Sequence, residues 1–135
     1  MRSAIGCTSR EDCDVEFVVD AVSTITCPDA FGLTEETRVV RVDIEVEVRD
    51  QVNYPDALDV FYLGDWSAVT EDGYTLRALD TVSNCDGQDA SLLTYGINAG
   101  EKVRNSIDFL LPNDVEKVQL QPHALDGGGW NWPVT

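Results

Sequence analysis

From Val40 to Arg49 apolar and charged side chains alternate without a break. Val40, Val42, Ile44, Val46 and Val48 fall on one side of an extended chain, and Arg41, Asp43, Glu45, Glu47 and Arg49 on the other. A helix turns about 100° per residue and would scatter these charges around its circumference, whereas a strand sends all of them to water. The run Thr37 to Asp50 is therefore read as a strand with one buried face. Such a strand requires a sheet that something apolar covers on one side.

Other segments repeat the period. Val15 to Thr26 is expected as a first strand, with Val15, Phe17 and Val19 on one face. Leu58 to Thr70 is read as a further strand, rich in aromatics, and Tyr74 to Leu79 as its hairpin partner across the Glu71-Asp72-Gly73 turn. Glu101 to Leu111 and Val115 to Gln121 flank the Pro112-Asn113-Asp114 stop, and Trp130-Asn131-Trp132 follows a glycine-rich turn and closes the sheet. Only Ala30 to Glu36 has room for a helical turn. Seven to nine short strands with frequent turns predict an all-β fold, an antiparallel β-sandwich. The expected organisation is an N-terminal arm over residues 1–14 and a single β-sandwich domain over 15–135.

The chain has 135 residues, enough for one core, and 43% of them are hydrophobic, which argues against disorder. Its 25 acidic against 9 basic residues give a net charge of −16. Phosphate backbones and anionic membranes are repelled by such a surface, so nucleic acid is not an expected partner. Solubility is the plain account of the charge; cation binding and life in high salt are the sharper ones. Lys102 and Lys117 are the only lysines, a usage that suits a halophile or a GC-rich genome. No apolar run is long enough to span a membrane as a helix.

The four cysteines are Cys7, Cys13, Cys27 and Cys85. Zinc sites want close ligand pairs, and here the nearest cysteines have five residues between them, so disulfides in an oxidising compartment are the better reading. Four cysteines allow three pairings. Cys7–Cys13 and Cys27–Cys85 are favoured, because the first ties down a polar arm and the second joins two strand ends. Residues 1–6 lack the apolar stretch of a secretory signal, so an export signal is expected to have been removed. Ala4-Ile5-Gly6-Cys7 is similar to the end of a bacterial lipoprotein signal, which leaves a lipid anchor open.

Trp66, Glu71-Asp72-Gly73-Tyr74, Asn98-Ala99-Gly100-Glu101-Lys102-Val103, Ile107-Asp108-Phe109-Leu110-Leu111-Pro112 and Val115-Glu116-Lys117-Val118-Gln119-Leu120 occur in that order. Together with Trp130 and Trp132 this resembles the immunoglobulin-like (telokin-like) domain of bacterial secreted proteins and lipoproteins. The mycobacterial immunoprotective extracellular antigen belongs to that family. The resemblance covers roughly residues 37–134 and departs from the family at Arg104-Asn105, where a small residue is usual, and in its cysteines. It implies an exported antiparallel sandwich and carries over no catalytic residues.

Candidate chemistry is sparse. A nucleophile–histidine–acid arrangement has only His123 to draw on, which is read as a surface histidine. Acid pairs of the glycosidase kind arise by chance in so acidic a chain. Asn84, Asp86 and Asp89 form the best calcium candidate, hard oxygens on one loop, although their spacing departs from the helix–loop–helix calcium pattern. Phe61, Tyr62, Trp66, Tyr74, Trp130 and Trp132 are expected mainly in the core, with Trp130 and Trp132 the candidates for a contact with carbohydrate or protein. The expected function is a non-catalytic binding or adhesion module, secreted or at the cell surface, needing no cofactor and engaging a protein or carbohydrate there. A small carboxylate-based hydrolase and a structural accessory domain of a larger surface protein are the alternatives.

Overall fold

The alternating run becomes β3 (Thr37–Val48), the middle strand of the larger of two antiparallel sheets. The computed structural model describes residues 3–9, 12–85, 91–123, 125 and 128–135, apart from the side chains of 91 and 92. The larger sheet runs β1 (Ser3–Cys7), β2 (Cys13–Ile25), β3, β7 (Lys102–Pro112), β6 (Asp80–Thr81). The smaller runs β5 (Thr75–Leu76), β4 (Trp66–Thr70), β8 (Val115–Leu120), β9 (Trp130–Pro133). The described residues thus form an all-β sandwich of nine strands.

Between the sheets lie Val40, Val42, Ile44, Val46 and Val48 of β3, the residues that the alternation assigned to the buried face. They meet Val15, Phe17 and Val22 of β2, Ile107 and Phe109 of β7, Trp66 and Ala68 of β4, and Val118 and Leu120 of β8. Aromatic rings tie the layers together. Phe17 stands edge-on to Phe61 and to Trp130, each at 5.0 Å between centroids, and Trp66 lies 5.5 Å from Phe109. Thr135 closes one side: its N–H donates to Val22 O at 2.9 Å and its carbonyl accepts from Thr24 N at 3.0 Å.

A second, smaller core sits on the opposite face of the larger sheet. Ala30, Val39, Val82 and Cys85 are buried there, with Ile25, Cys27, Leu33 and Leu110 against them. The Cys27–Cys85 disulfide joins the two loops that form this cover, and the Cys7–Cys13 disulfide crosses the end of the β1–β2 hairpin. Both favoured pairings are present, and no described cysteine is free. The same cover buries an ion pair. Arg41 Nε and Nη2 donate to Asp108 Oδ1 and Oδ2 at 2.8 and 2.9 Å, and the Asp108 side chain is 1% exposed.

Three expectations are corrected. The N-terminal stretch is not an arm. It supplies the edge strand β1, with Ile5 buried, and the buried Asp14 accepts the N–H groups of Asn53 (3.0 Å) and Tyr54 (2.6 Å). Gly6 makes this packing possible: its φ is 71°, and a Cβ there would stand 2.9 Å from Ala57 Cβ and from Asp14 Oδ2. Leu58 to Asp65 is not strand. Pro55 opens a 3₁₀ turn (Pro55–Asp59), a second follows (Leu63–Asp65), and extended structure begins only at Trp66. The Tyr74–Leu79 run is split: Thr75–Leu76 pairs with β4, while Ala78, at φ 53°, turns the chain so that Asp80–Thr81 joins the other sheet.

Two register shifts break the period. Val19 faces Ile44 and Ala21 faces Asp43, so Asp20 is an extra residue in β2. Val69 faces Lys117 and Thr70 faces Val115, so Glu116 is the extra residue in β8, and Val115 and Val118 can both point inward.

Candidate functional site

At one end of the sandwich the β3–β4 crossover, the segment before β7 and the segment after β8 come together. Their buried anchors are Ala57, Val60 and Phe61 from the first and Leu93 and Ile97 from the second. Ile97 N donates to Leu58 O at 3.2 Å, and Gln121 N to Asp65 O at 3.1 Å. Asp59, Tyr62 and Tyr95, set among these anchors, are exposed, while Leu58 and Thr94 are half-buried. Asp59, Tyr62, Thr94, Tyr95 and His123 line an open hollow of about 490 Å³.

Tyr62 is held in a defined place. A Cβ on Gly64 would stand 2.8 Å from Tyr62 Cε2, so the ring lies directly over the bare backbone of Gly64. The same ring stands at 88° to the His123 imidazole, 5.7 Å between centroids. Tyr62 is 52% exposed and Tyr95 87%. The expectation that Tyr62 and Tyr74 belong to the core is therefore corrected: in β-type alternation Tyr62 shares a face with Val60, but the 3₁₀ geometry sends it outward. Phe61 and Trp66 are fully buried, as expected of core aromatics.

His123 is positioned by Asp65. The Oδ2 atom of Asp65 accepts the His123 backbone N–H at 3.1 Å and lies 2.7 Å from Nδ1. A neutral imidazole that donates from Nδ1 keeps Nε2 as its acceptor. The hydrogen bond that His123 donates to Asp65, then the charge of that carboxylate, holds the His123 pKa above its usual 6.5, with Asp59 and Asp56 adding to the effect against desolvation. Among the described residues no lysine or arginine lines the hollow.

A second acidic locus lies on the outward face of the larger sheet. The extra residue Asp20 projects beside Asp43 and Glu45, next to Arg104, which ion-pairs with Glu45. Desolvation, then a hydrogen bond that protonated Asp20 donates to Glu45, and the charge of Glu45, raise the Asp20 pKa. Two carboxyls in hydrogen-bond contact are closer than the ~5 Å that a retaining glycosidase needs to fit a sugar carbon between them.

The remaining sequence candidates fall elsewhere. Trp130 and Trp132 do not form an exposed patch; both are half-buried and packed on the core, Trp130 against Phe17 and Trp132 6.1 Å from Trp66. Their place on β9, with Asn131 between them facing water, turns both indoles inward. Asn84 Nδ2 donates to Asp29 O at 2.6 Å, tying together the two loops that the Cys27–Cys85 bridge joins. Asp86 and Asp89 lie outside the described residues, and among the described residues no group of acidic, histidine or cysteine side chains is arranged to hold a metal ion.

The hollow escaped sequence reading because its members are far apart in the chain. Asp65 and His123 are 58 residues apart. The available signals were Gly64 beside an aromatic and Pro122-His123 directly after a strand. No family model, curated protein or solved structure matches the chain.

Proposed function

We propose that this chain is a non-catalytic binding or adhesion module of immunoglobulin-like type, carried by a secreted or cell-surface protein, and that it contacts its partner through the Tyr62–Tyr95–His123 hollow. One observation carries the reading: two large aromatic side chains stand in water beside an oriented histidine, on loops anchored to a rigid frame. Tyrosine offers wide contact area with little rotamer entropy to lose, which is why it recurs at the centres of protein interfaces. The two disulfides fit an oxidising compartment outside the cytoplasm. No helix is long and apolar enough to cross a membrane among the described residues. A protein or carbohydrate at the cell surface suits the open shape of the hollow better than a small molecule, which needs enclosure.

The Asp65–His123 pair supports a second reading, a hydrolase. A histidine oriented by an acid is part of a nucleophile-activating chain, and the Thr94 side chain lines the same hollow. One experiment separates the two. Wild type, Tyr62→Ala/Tyr95→Ala and His123→Ala are each presented to panels of extracellular polysaccharides and secreted proteins, and to ester, peptide and glycoside substrates. The binding reading expects a partner whose retention falls in the tyrosine variant without turnover of anything. Turnover that His123→Ala abolishes, with the fold intact, overturns it in favour of the hydrolase.

A further inference from the structure

The character of the hollow narrows what fills it. Among the described residues no ion pair and no side-chain hydrogen bond engages the Asp59 carboxylate, whereas Asp65 is committed to His123. The carboxylate of Asp56 stands near enough, with that of Asp59, to act on the charge of His123. Among the described residues, an anion entering the hollow meets Asp59 with no basic side chain of the lining other than His123 to offset it. A cation meets a carboxylate with no competing partner among the described residues, beside two exposed tyrosine rings whose faces attract positive charge. The field of a chain with net charge −16 draws the same sign of ligand from a distance.

We propose that the hollow receives a basic side chain, the guanidinium of arginine or the ammonium of lysine, presented by a cationic partner protein. Asp59 supplies the counter-charge, and Tyr62 and Tyr95 supply the aromatic walls. The proposal rests on the binding-module reading and names its ligand class. The long aliphatic stem of such a side chain lies along an exposed tyrosine while its charged head reaches the carboxylate. Arginine suits the place better than lysine, because its planar head both stacks on an aromatic face and bonds a carboxylate through two N–H groups. Tyr62 is the fixed wall, seated on Gly64 and braced at right angles by His123.

The test is a solution NMR titration of the isotope-labelled chain with a blocked glycine–arginine–glycine peptide at millimolar concentration. Parallel titrations use the same peptide with citrulline, which keeps the shape and loses the charge, and a neutral oligosaccharide. The expected result is movement of the backbone amides of Asp59, Tyr62, Tyr95 and His123 with the arginine peptide. The citrulline peptide, the Asp59→Asn variant and the Tyr62→Ala variant should each bind about two- to fivefold more weakly, the size of one exposed cation–π or charge contact. Raised salt should weaken the arginine peptide and not the citrulline peptide. Equal binding of the arginine and citrulline peptides overturns the cation assignment, and so does an Asp59→Asn variant that binds as well as wild type. An arginine peptide that leaves these amides unmoved overturns it as well. If the oligosaccharide moves the same amides in that case, the site remains a binding site with a different ligand; if nothing moves them, the binding-module reading falls too.

Discussion

Replacing Cys27 and Cys85 together by alanine should destabilise the protein far more than replacing Cys7 and Cys13. The first bridge closes a loop with a sequence separation of 58, the second one of 6. In the chain-entropy treatment these loops correspond to about 4.2 and about 2.2 kcal/mol. The comparison is firmer than either value, because it depends only on the ratio of loop lengths and comes to about 2 kcal/mol. The structure pushes the difference further the same way. Cys85 is buried with Ala30, Val39 and Val82, so its loss also thins the small outer core, whereas Cys7 is exposed. For a chain of this size the long-loop variant should melt about 12–20 °C below wild type. Urea unfolding followed by tryptophan fluorescence measures both variants, since Trp66 is buried against Phe109. Equal losses, or a larger loss from the Cys7/Cys13 variant, would refute the argument that the long bridge holds the outer cover in place.

The Arg41–Asp108 pair gives a second expectation: Asp108→Ala should cost about 1.5–3 kcal/mol, because it removes the carboxylate that both Arg41 Nε and Nη2 bond at a site where the arginine side chain is only 15% exposed, and replacing both partners by apolar residues should cost less in the same urea assay. The raised pKa of Asp20 means that the fold holds this proton more tightly than the unfolded chain, so its stabilisation is complete below the unfolded value near 3.8 and lost as pH rises through the folded one. Asp20→Asn should accordingly raise the stability to urea at neutral pH, by less than about 1 kcal/mol at so exposed a position, and lose that advantage in acid. His123 is also raised, from 6.5, so the stabilisation from its Asp65 bond is complete below 6.5 and fades as pH climbs through the folded value. His123→Ala should therefore cost more stability at pH 5 than at pH 8, by under about 1 kcal/mol, and equal costs at the two values would count against the pair. Gly64→Ala should displace the Tyr62 ring, which is read as loss of the ring-current shift on the His123 protons while the core signals stay in place.

Much of the frame was legible because its strands are long and half-buried. In β3 every side chain from Val40 to Val48 obeys period two, since both neighbours, β2 and β7, pair with it along most of its length. In β8 the same rule rightly sets Val118 and Leu120 on one face but puts Val115 on the other, because Glu116 is an extra residue and parity reverses across it. β1 was passed over for a different reason. Five residues holding a glycine and a cysteine carry too little alternation to register, and what fixes the strand is the Cys7–Cys13 bridge and the buried Asp14 rather than its own pattern. Leu58 to Leu63 deceived by composition: its apolar residues serve as anchors for a 3₁₀ path and not as one face of a strand.

The candidate site sits where the period fails, and the same anchors explain both facts. Along the crossover, buried Ala57, Val60 and Phe61 surround exposed Asp59 and precede exposed Tyr62; along the other segment, buried Leu93 and Ile97 enclose Thr94 and Tyr95. Neither spacing belongs to a strand or a long helix, so neither segment announces itself in the sequence. Each buried anchor nevertheless fixes the backbone on either side of it. Side chains displayed between such anchors have already lost most of the freedom that binding would otherwise remove, and immobilising a mobile side chain at an interface costs about 0.5–1.5 kcal/mol. Tyr62 is the clearest case, since its ring rests on Gly64 and against His123. A regular strand can fix a side chain equally well, but it faces that side chain along a flat sheet. Irregular, anchored segments at the end of a sandwich can turn several side chains toward one point, which is what the hollow requires.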